Sequence, residues 1–241
     1  RCSAFIEKNL AEQTGRLYLR YRDGEAAHMG QLDDYAFYAF GLLELYQATF
    51  EVQYLERAAE LIKLVCNFFA EDMGGFYLYA EDAEQLLYRP KESYDGAMPS
   101  GNSMMGYVLQ KLSALTGEQR WQEAAEKQFA YLAGEMQEMP SAHCFALYAM
   151  TEVWYPSLEL VCVSAKEVPS AELLSFLREK NDIAVLWKTK ETAERLTKMA
   201  SFTAGYPIPE TGERYYLCKG KHCFAPQERI AELRQLLQKK E

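Results

Sequence analysis

The chain of 241 residues is long enough to bury a hydrophobic core, and 49% of its residues are hydrophobic. Its 35 acidic and 26 basic residues give a formal net charge of −9, which opposes binding to a nucleic-acid backbone. No apolar run of the sequence approaches the roughly 20 residues that a transmembrane helix requires. We therefore expect neither nucleic acid nor a membrane as partner, and we expect a cytoplasmic protein.

The first ten residues alternate apolar and charged side chains, in the manner of an amphipathic helix rather than of a secretory signal peptide. The chain has no initial Met, and the helical pattern is already present at Arg1. From these two observations we expect the sequence to be part of a longer chain.

Two kinds of helix alternate in the next part of the sequence. Residues 33–48 are apolar on almost every face, as expected of a helix surrounded by others, whereas residues 54–69 have one polar face. The same order recurs in the apolar segment 103–115 and the polar-faced segment 121–132. Similar residues recur at one constant spacing: Leu45 and Leu112, Thr49 and Thr116, Tyr54 and Trp121, Ala58 and Ala125. This pattern indicates an internal repeat of helical hairpins.

A third apolar helix is predicted over residues 141–154, and all three apolar helices begin at polar segments: QLDDYA, PSGNS and PSAHC. Two β-like segments, GRLYLRYRDGE and GGFYLYAEDAEQLLYRPKE, lie between the helices. Repeated hairpins of inner and outer helices describe an α/α toroid, whose inner helices line a cavity. We therefore predict a mainly α fold over residues 1–155, a partial (α/α)6 toroid with the three polar helix starts at one rim.

The pattern changes after Trp154. LELVCV and IAVLWK are short apolar runs typical of buried strands, and the helical segment 170–180 between them predicts a β-α-β unit. A third β-like stretch over residues 214–218 and an amphipathic helix over residues 226–238 follow. These elements predict a small α/β segment over residues 156–241.

The six cysteines fall into two groups. Four lie scattered through apolar segments, where Cys packs as a small hydrophobic residue, and we expect them to be reduced thiols. Cys218 and Cys223 lie with His222 in CKGKHC, and these side chains could hold a metal ion or form a redox pair. No second ligand cluster is present, C-x4-C differs from the C-x-x-C redox spacing, and a turn after the strand RYYLC is an alternative. We expect no metal and no cofactor.

Several segments together carry a family resemblance. They are LDDYAFYAFGLLELYQAT, GGFY, the run Arg89-x-Lys91-x-x-x-Asp95-Gly96-Ala97-x-Pro99-Ser100-Gly101-Asn102-Ser103, LTG and YYLCKGKHCFAP. They resemble the C-terminal part of the family that joins an N-terminal thioredoxin-like domain to a six-hairpin helical barrel, which includes spermatogenesis-associated protein 20 and the bacterial YyaL-type proteins. The matching segments do not include the thioredoxin-like domain. The barrel is similar to six-hairpin glycosidases and sugar 2-epimerases, so the resemblance implies a carbohydrate ligand without defining a reaction.

Three residues at the predicted rim are candidate catalytic groups. Glycoside hydrolysis needs two carboxyl groups roughly 5 to 10 Å apart, and Asp34 and Asp95 come from different loops. Either carboxylate could instead cap a helix by accepting its free backbone N–H groups. His143 in PSAHC could transfer protons near neutral pH, although a His between apolar residues is often a packed core residue.

Other residues near the predicted rim are candidate substrate ligands: Asp33, Tyr35, Arg89, Lys91 and Asn102. Asn102 could donate to a sugar hydroxyl or cap a helix. Arg89 and Lys91 could pair with Asp95, face an anionic ligand or remain solvated. An aromatic ring such as that of Tyr35 could stack on a sugar or pack in the core.

Two functions remain open at this point. One is a carbohydrate-binding or carbohydrate-processing domain, which as an enzyme would resemble a glycoside hydrolase or a sugar epimerase. The other is a non-catalytic scaffold that binds a thioredoxin-like domain or another protein. Carboxylates of Asp34 and Asp95 that face each other across a cavity favour the enzyme, whereas helix capping by both favours the scaffold. A partial toroid also leaves inner-helix surface uncovered, so we expect a homo-oligomer that covers it.

Overall fold

The structure is a computed structural model that describes residues 1–84, 87–155, 157–180, 183–219 and 222–238. It is rich in helix and contains two small sheets within these ranges. The chain divides into two compact units. The first comprises Arg1–Ser113 and Gln119–Trp154, and the second comprises Ala114–Glu118 and the chain from Tyr155 onward. Across the described ranges, no helix is both long and apolar enough to cross a bilayer.

The helices and strands that begin in the first unit follow one another in this order: α1 (Cys2–Asn9), β1 (Tyr18–Arg22), β2 (Glu25–Met29), α2 (Leu32–Thr49), α3 (Val52–Phe68), α4 (Gly101–Thr116), α5 (Gln119–Glu135) and α6 (Cys144–Trp154). All five predicted hairpin helices are present. The last one begins at Cys144 rather than at residue 141, because a short 3-10 helix, Pro140–Ala142, occupies the preceding residues.

The apolar helices α2, α4 and α6 lie side by side. Phe40 of α2 contacts Tyr107 of α4 with ring centroids 5.8 Å apart, and Tyr107 contacts Phe145 of α6 at the same distance. The amphipathic helix α3 packs against α2. Helix α5 packs closely against α4 at Gly106, where an added Cβ would lie 3.0 Å from the ring of Phe129. Apolar helices therefore form one row, and amphipathic helices pack on it, as the repeat predicts.

The two predicted β-like segments differ in the structure. In the first, β1 and β2 form an antiparallel hairpin around Asp23 and Gly24, whose φ angles of 54° and 88° suit a two-residue hairpin turn. The second segment, residues 74–92, contains an isolated bridge between Phe76 and Ala70 but no strand among its described residues. Its residues 85 and 86 lie outside the described ranges. The Leu78 carbonyl accepts a hydrogen bond from the Leu32 N–H at the start of α2, and the Leu78 N–H donates to the Pro90 carbonyl. The β-like character predicted for this segment is thus limited, in its described residues, to an isolated bridge.

The second unit contains β3 (Leu158–Ser164), α7 (Ala171–Arg178), β4 (Ile183–Lys188), α8 (Ala193–Met199), β5 (Glu213–Lys219), β6 (His222–Cys223) and α9 (Ile230–Gln238). Its sheet has the order β4-β3-β5-β6. Strands β3 and β4 are parallel, which confirms the β-α-β unit, and β5 is antiparallel to both β3 and β6.

Helix α9 begins four residues later than the amphipathic pattern predicts. The backbone of Gln227 exchanges two hydrogen bonds, of 2.8 and 2.9 Å, with Tyr215 of β5, and this pairing holds the chain extended before the helix. Helix α8 has no counterpart in the prediction. The late start of α9 thus comes from a contact with a strand elsewhere in the second unit.

Candidate functional site

Asp34 lies in the first turn of α2. Its Oδ2 accepts a hydrogen bond of 2.8 Å from the backbone N–H of Gln31, as in a capping box. Burial raises the pKa of the Asp34 carboxyl, while the bond from Gln31 lowers it.

The neighbouring Asp33 faces the start of α4, where an added Cβ at Gly101 would lie 2.2 Å from its Oδ1. Burial, and then the charge of Glu92, raise the pKa of Asp33, and a bond from the Gly101 N–H opposes them.

The Asp95 carboxylate joins the starts of α4 and α6. Its Oδ1 accepts from the backbone N–H of Ser100 at 2.9 Å and from the Ser100 hydroxyl at 3.3 Å. Its Oδ2 accepts from the backbone N–H groups of Phe145 at 2.8 Å and Ala146 at 3.0 Å. Both oxygens therefore bind groups that the helix ends would otherwise leave unpaired.

The Asn102 side chain is fully buried and bonds to backbone groups. Its Oδ1 accepts from the Phe76 N–H at 2.8 Å, and its Nδ2 donates to the carbonyls of Phe76 and Glu92, each at 2.9 Å. Gln128 donates to the Asn102 carbonyl at 2.8 Å. Both Nδ2 hydrogens are thus used within the protein, and a sugar hydroxyl would have to displace one of these bonds.

His143 is buried just before α6, with 7% of its surface exposed. Its Nδ1 donates to the carbonyl of Met139 at 3.1 Å, and its Nε2 lies 3.2 Å from the hydroxyl oxygen of Ser93. The Ser93 hydroxyl also lies 3.2 Å from an oxygen of Glu135. Polar neighbours therefore satisfy the imidazole inside the protein.

The other candidate ligands are also held by the protein. The guanidinium of Arg89 lies 4.0 Å from the ring centroid of Tyr77. Lys91 forms a salt bridge with Glu71. Tyr35 is fully buried, and its hydroxyl accepts a backbone hydrogen bond.

The polar starts of α2, α4 and α6 therefore lie together, as the repeat predicts. Asp33 approaches Gly101, and Asp95 bonds to the starts of both α4 and α6. Both Asp34 and Asp95 make the capping contacts expected of a structural role. Catalysis by Asp34, Asp95 or His143 stays a prediction.

A second arrangement, which the sequence analysis missed, lies further along the same three helices. Four aromatic rings form a continuous cluster there: Phe40, Tyr107, Phe145 and Tyr148. The rings of Tyr107 and Tyr148 are stacked with their centroids 5.9 Å apart. Tyr148 is 52% exposed, whereas Tyr107 is 8% exposed. We call this cluster, together with the charged residues Glu44, Lys111 and Glu152 that follow it, the aromatic face.

The charged residues of the aromatic face act on its central ring. Lys111 forms a salt bridge of 3.3 Å with Glu152, and its ammonium lies 5.4 Å from the centroid of Tyr107. Burial raises the pKa of Tyr107, and Tyr148 and the carboxylates of Glu44 and Glu152 raise it further. The Tyr107 hydroxyl therefore stays protonated at neutral pH.

A repeated spacing in the sequence could have identified this face. Each apolar helix carries an aromatic residue and, one turn later, a charged residue: Phe40 and Glu44, Tyr107 and Lys111, Tyr148 and Glu152. In the first two helices, these pairs occupy equivalent positions of the hairpin repeat. Residues four apart share one side of a helix, so the three pairs could have been predicted to form one surface.

Cys218 and Cys223 form a disulfide, and Cys2, Cys66, Cys144 and Cys162 are free thiols. In CKGKHC the two sulfurs are therefore bonded to each other, and disulfide sulfurs are not thiolate ligands of a metal ion. A redox role of the pair stays a prediction. Among the residues that the structure describes, no group of three or more His, Cys, Asp or Glu side chains could hold a metal ion.

The chain is similar to several known proteins, although no family model matches it. Spermatogenesis-associated protein 20 from Rattus norvegicus is 28% identical over 86% of this chain and 27% of its own length. The human protein of that name is 27% identical over the same shares. Uncharacterized protein B0495.5 from Caenorhabditis elegans is 28% identical over 99% of this chain and 34% of its own length. The chain thus spans about a quarter to a third of these relatives.

Among solved structures, cellobiose 2-epimerase from Spirochaeta thermophila is similar to part of the chain. The two share 20% sequence identity with a TM-score of 0.43, over 53% of this chain and 34% of the epimerase. A TM-score at this level does not establish a common fold.

Proposed function

This chain is a homologue of the proteins named Spermatogenesis-associated protein 20, a name that states no reaction, and we propose from its own site that the aromatic face binds carbohydrate. In this proposal α2, α4 and α6 are inner helices of a partial (α/α)6 toroid, and the aromatic face lines their concave side. The function is binding, without acid–base catalysis by Asp34 and Asp95.

The observation that carries the proposal is the aromatic face itself. Aromatic rings with accessible faces offer apolar contact to the C–H groups of a sugar ring, and ligand sites typically combine such rings with a few polar groups. Tyr148 supplies the exposed ring, while Lys111 and Glu152 supply a donor and an acceptor beside it. Sugar hydroxyls bind both kinds of group.

The capping contacts support binding rather than hydrolysis. To serve as a general acid or nucleophile, the Asp95 carboxylate would have to release backbone N–H groups of α4 and α6. The loss of a helix cap typically costs about 1 kcal/mol. Asp34 also makes a capping contact, through one bond that its Oδ2 accepts from the backbone N–H of Gln31.

Thermal unfolding of the whole chain with a panel of neutral disaccharides, monosaccharides and sugar phosphates tests this proposal. A ligand at about 100 times its Kd stabilises the folded state by about 2.7 kcal/mol, which raises the Tm by several degrees. We expect Tyr148→Ala to abolish the shift, since it removes the exposed ring of the face. Tyr88→Ala is the matched control, because Tyr88 is 73% exposed and lies outside the aromatic face.

Three results separate the possible outcomes of this experiment. Asp95→Asn is expected to lower the Tm of the free protein and to keep the sugar-induced shift. A shift that Asp95→Asn abolishes while Tyr148→Ala retains it would place the ligand at the rim instead. If no sugar of the panel shifts the Tm of the wild-type protein, the carbohydrate proposal fails.

The second candidate is a non-catalytic scaffold, and exposed apolar residues on α6 favour it. Leu147 is 36% exposed and Trp154 is 62% exposed, and with Thr151 they lie along one side of the helix. We call these three residues the α6 stripe. An exposed apolar side of this kind often marks an interface with another protein.

A further inference from the structure

The disulfide between Cys218 and Cys223 joins two paired strands. The register of β5 and β6 places the two residues directly opposite each other, with Cα atoms 4.0 Å apart. The neighbouring pair is joined by a hydrogen bond of 2.9 Å from the Phe224 N–H to the Leu217 carbonyl. Cys218 and Cys223 therefore occupy a non-hydrogen-bonded position, where side chains across an antiparallel ladder lie closest.

Backbone pairing also holds the two cysteines near each other, in addition to the bond between their sulfurs. Strand β5 is fixed in the sheet by antiparallel pairing with β3 over six residue pairs, from Glu159–Cys218 to Ser164–Glu213. Phe224 then bonds back to Leu217 after β6. Reduction of the disulfide would thus leave two thiols that face each other and can re-form the bond.

The two sulfur positions differ in access to solvent. Cys218 is 7% exposed, whereas Cys223 is an exposed residue. An external thiolate therefore reaches the sulfur of Cys223, and Cys218 leaves as the thiolate. The sequence around the pair contains Lys219, Lys221 and His222, and cationic neighbours generally favour a thiolate. This local positive charge contrasts with the net charge of −9 for the whole chain.

The other cysteines show that this bond does not belong to a general disulfide framework. Cys2 and Cys144 are exposed and free. Burial raises the pKa of Cys66 to about 11 and also raises that of Cys162, so both remain protonated thiols. The chain thus combines one exposed disulfide with four unpaired thiols, as expected where a particular pair is placed for exchange.

We propose that the Cys218–Cys223 disulfide is a thiol–disulfide exchange site that accepts electrons from a dithiol while β5 and β6 stay paired. One thiolate of the dithiol attacks the Cys223 sulfur, forms a mixed disulfide and releases the Cys218 thiolate. The second thiolate of the dithiol then attacks the first sulfur of the dithiol, which is bonded to Cys223 in the mixed disulfide, and releases the Cys223 thiolate. Two electrons and two protons pass to the cysteines, and the dithiol becomes a disulfide.

Thiol counting tests the reversibility of the bond. The Cys2→Ser/Cys144→Ser variant removes the exposed free thiols, and dithiothreitol serves as the dithiol. After acid quenching, alkylation under denaturing conditions and mass measurement, we expect two alkylated thiols without dithiothreitol and four after it. The far-UV circular dichroism, which reports the backbone fold, should be retained. Reduction only at urea concentrations that unfold the chain would overturn the proposal, because the disulfide would then be purely structural.

Two variants that each keep one cysteine of the pair test which sulfur is attacked. In the same background, Cys218→Ser leaves the exposed Cys223, and Cys223→Ser leaves the buried Cys218. With oxidised glutathione we expect the variant that keeps Cys223 to form the mixed disulfide about 10-fold faster or more. Equal rates, or a faster reaction of Cys218, would contradict the assigned direction of attack. We expect both variants to keep β5 paired with β3, and their circular dichroism reports whether the fold is intact.

Discussion

At the residue scale, Asn102 is a predicted sugar ligand whose side chain instead bonds to backbone groups inside the folded protein. The sequence places it correctly at the start of an apolar helix, beside a loop rich in Gly, Pro and Ser. Its amide, however, bonds to the backbone of Phe76 and Glu92, which lie well outside the helix. Local sequence cannot reveal such partners, because they are brought near only by the path of the preceding loop.

Asp33 provides a prediction of pH-dependent stability. Burial and the charge of Glu92 raise the pKa of its carboxyl in the folded protein. A raised carboxyl pKa gives stability that is fully present below the unfolded-state pKa and is lost as the pH rises through the folded-state pKa. We therefore expect Asp33→Asn, which keeps an acceptor for the Gly101 N–H, to raise the free energy of unfolding at pH 7. The gain should shrink at pH 4, where the wild-type carboxyl carries less charge than at pH 7.

Urea unfolding of wild type and Asp33→Asn at both pH values measures this difference. Glu84→Gln, at an exposed position, is the matched control and should change the midpoint little at either pH. A gain of the same size at both pH values would show that the charge of Asp33 is not its cause.

At the scale of elements, the loop between α3 and α4 depends on two glycines that the sequence suggests only as turn formers. Gly74 and Gly75 have φ angles of 98° and 80°, which favour glycine. They also lie against α5, where an added Cβ on Gly74 would be 2.6 Å from the Lys127 carbonyl oxygen. The positive φ angles are a requirement of the loop itself, whereas the close contact with α5 arises only when the chain folds.

Gly74→Ala and Gly24→Ala separate these two effects. Gly24 has a φ angle of 88°, and an added Cβ there would meet no atom within 4 Å. Gly24→Ala should therefore cost about 1–2 kcal/mol, the strain of a left-handed conformation. We expect Gly74→Ala to cost about 3 kcal/mol or more, since it adds a contact with backbone that cannot move away freely. Urea unfolding measures both, and equal losses would contradict the role assigned to the α5 contact.

At the scale of the whole molecule, α6 leaves large apolar side chains exposed, as would be expected if the hairpins formed only part of a ring. We propose self-association through the α6 stripe, which exposes Leu147 and Trp154. Sedimentation of the wild-type chain should show a larger species as its concentration rises. Trp154→Asp, which places a charge in the stripe, should shift this equilibrium toward the monomer by at least about 10-fold, because burial of an unpaired charge is costly.

Met73→Asp is the matched control for the sedimentation experiment. Met73 is 84% exposed and belongs to the loop before α4 rather than to α6, so its replacement should leave self-association unchanged. A wild-type chain that stays monomeric at all concentrations would refute the homo-oligomer. The sugar panel tests the carbohydrate proposal independently of the oligomeric state, because a ligand of the aromatic face would raise the Tm of a monomer as well.

The sequence by itself determined the elements that depend on short-range periodicity. Apolar and polar residues at helical spacing predicted α2 to α6, and two apolar runs around a helical segment predicted the β-α-β unit. The repeat also predicted that the starts of α2, α4 and α6 lie together. These features follow from which side chains share a face of a helix or strand.

Only the tertiary structure decided what the polar residues at those starts bind. It assigned both oxygens of Asp95 to backbone N–H groups, and it brought Phe40, Tyr107 and Tyr148 into one face from three separate helices. It likewise placed Cys218 opposite Cys223 through the register of β5 and β6. Hydrogen-bond partners and ring contacts depend on distances between segments far apart in the chain, and residue type and spacing do not contain these distances.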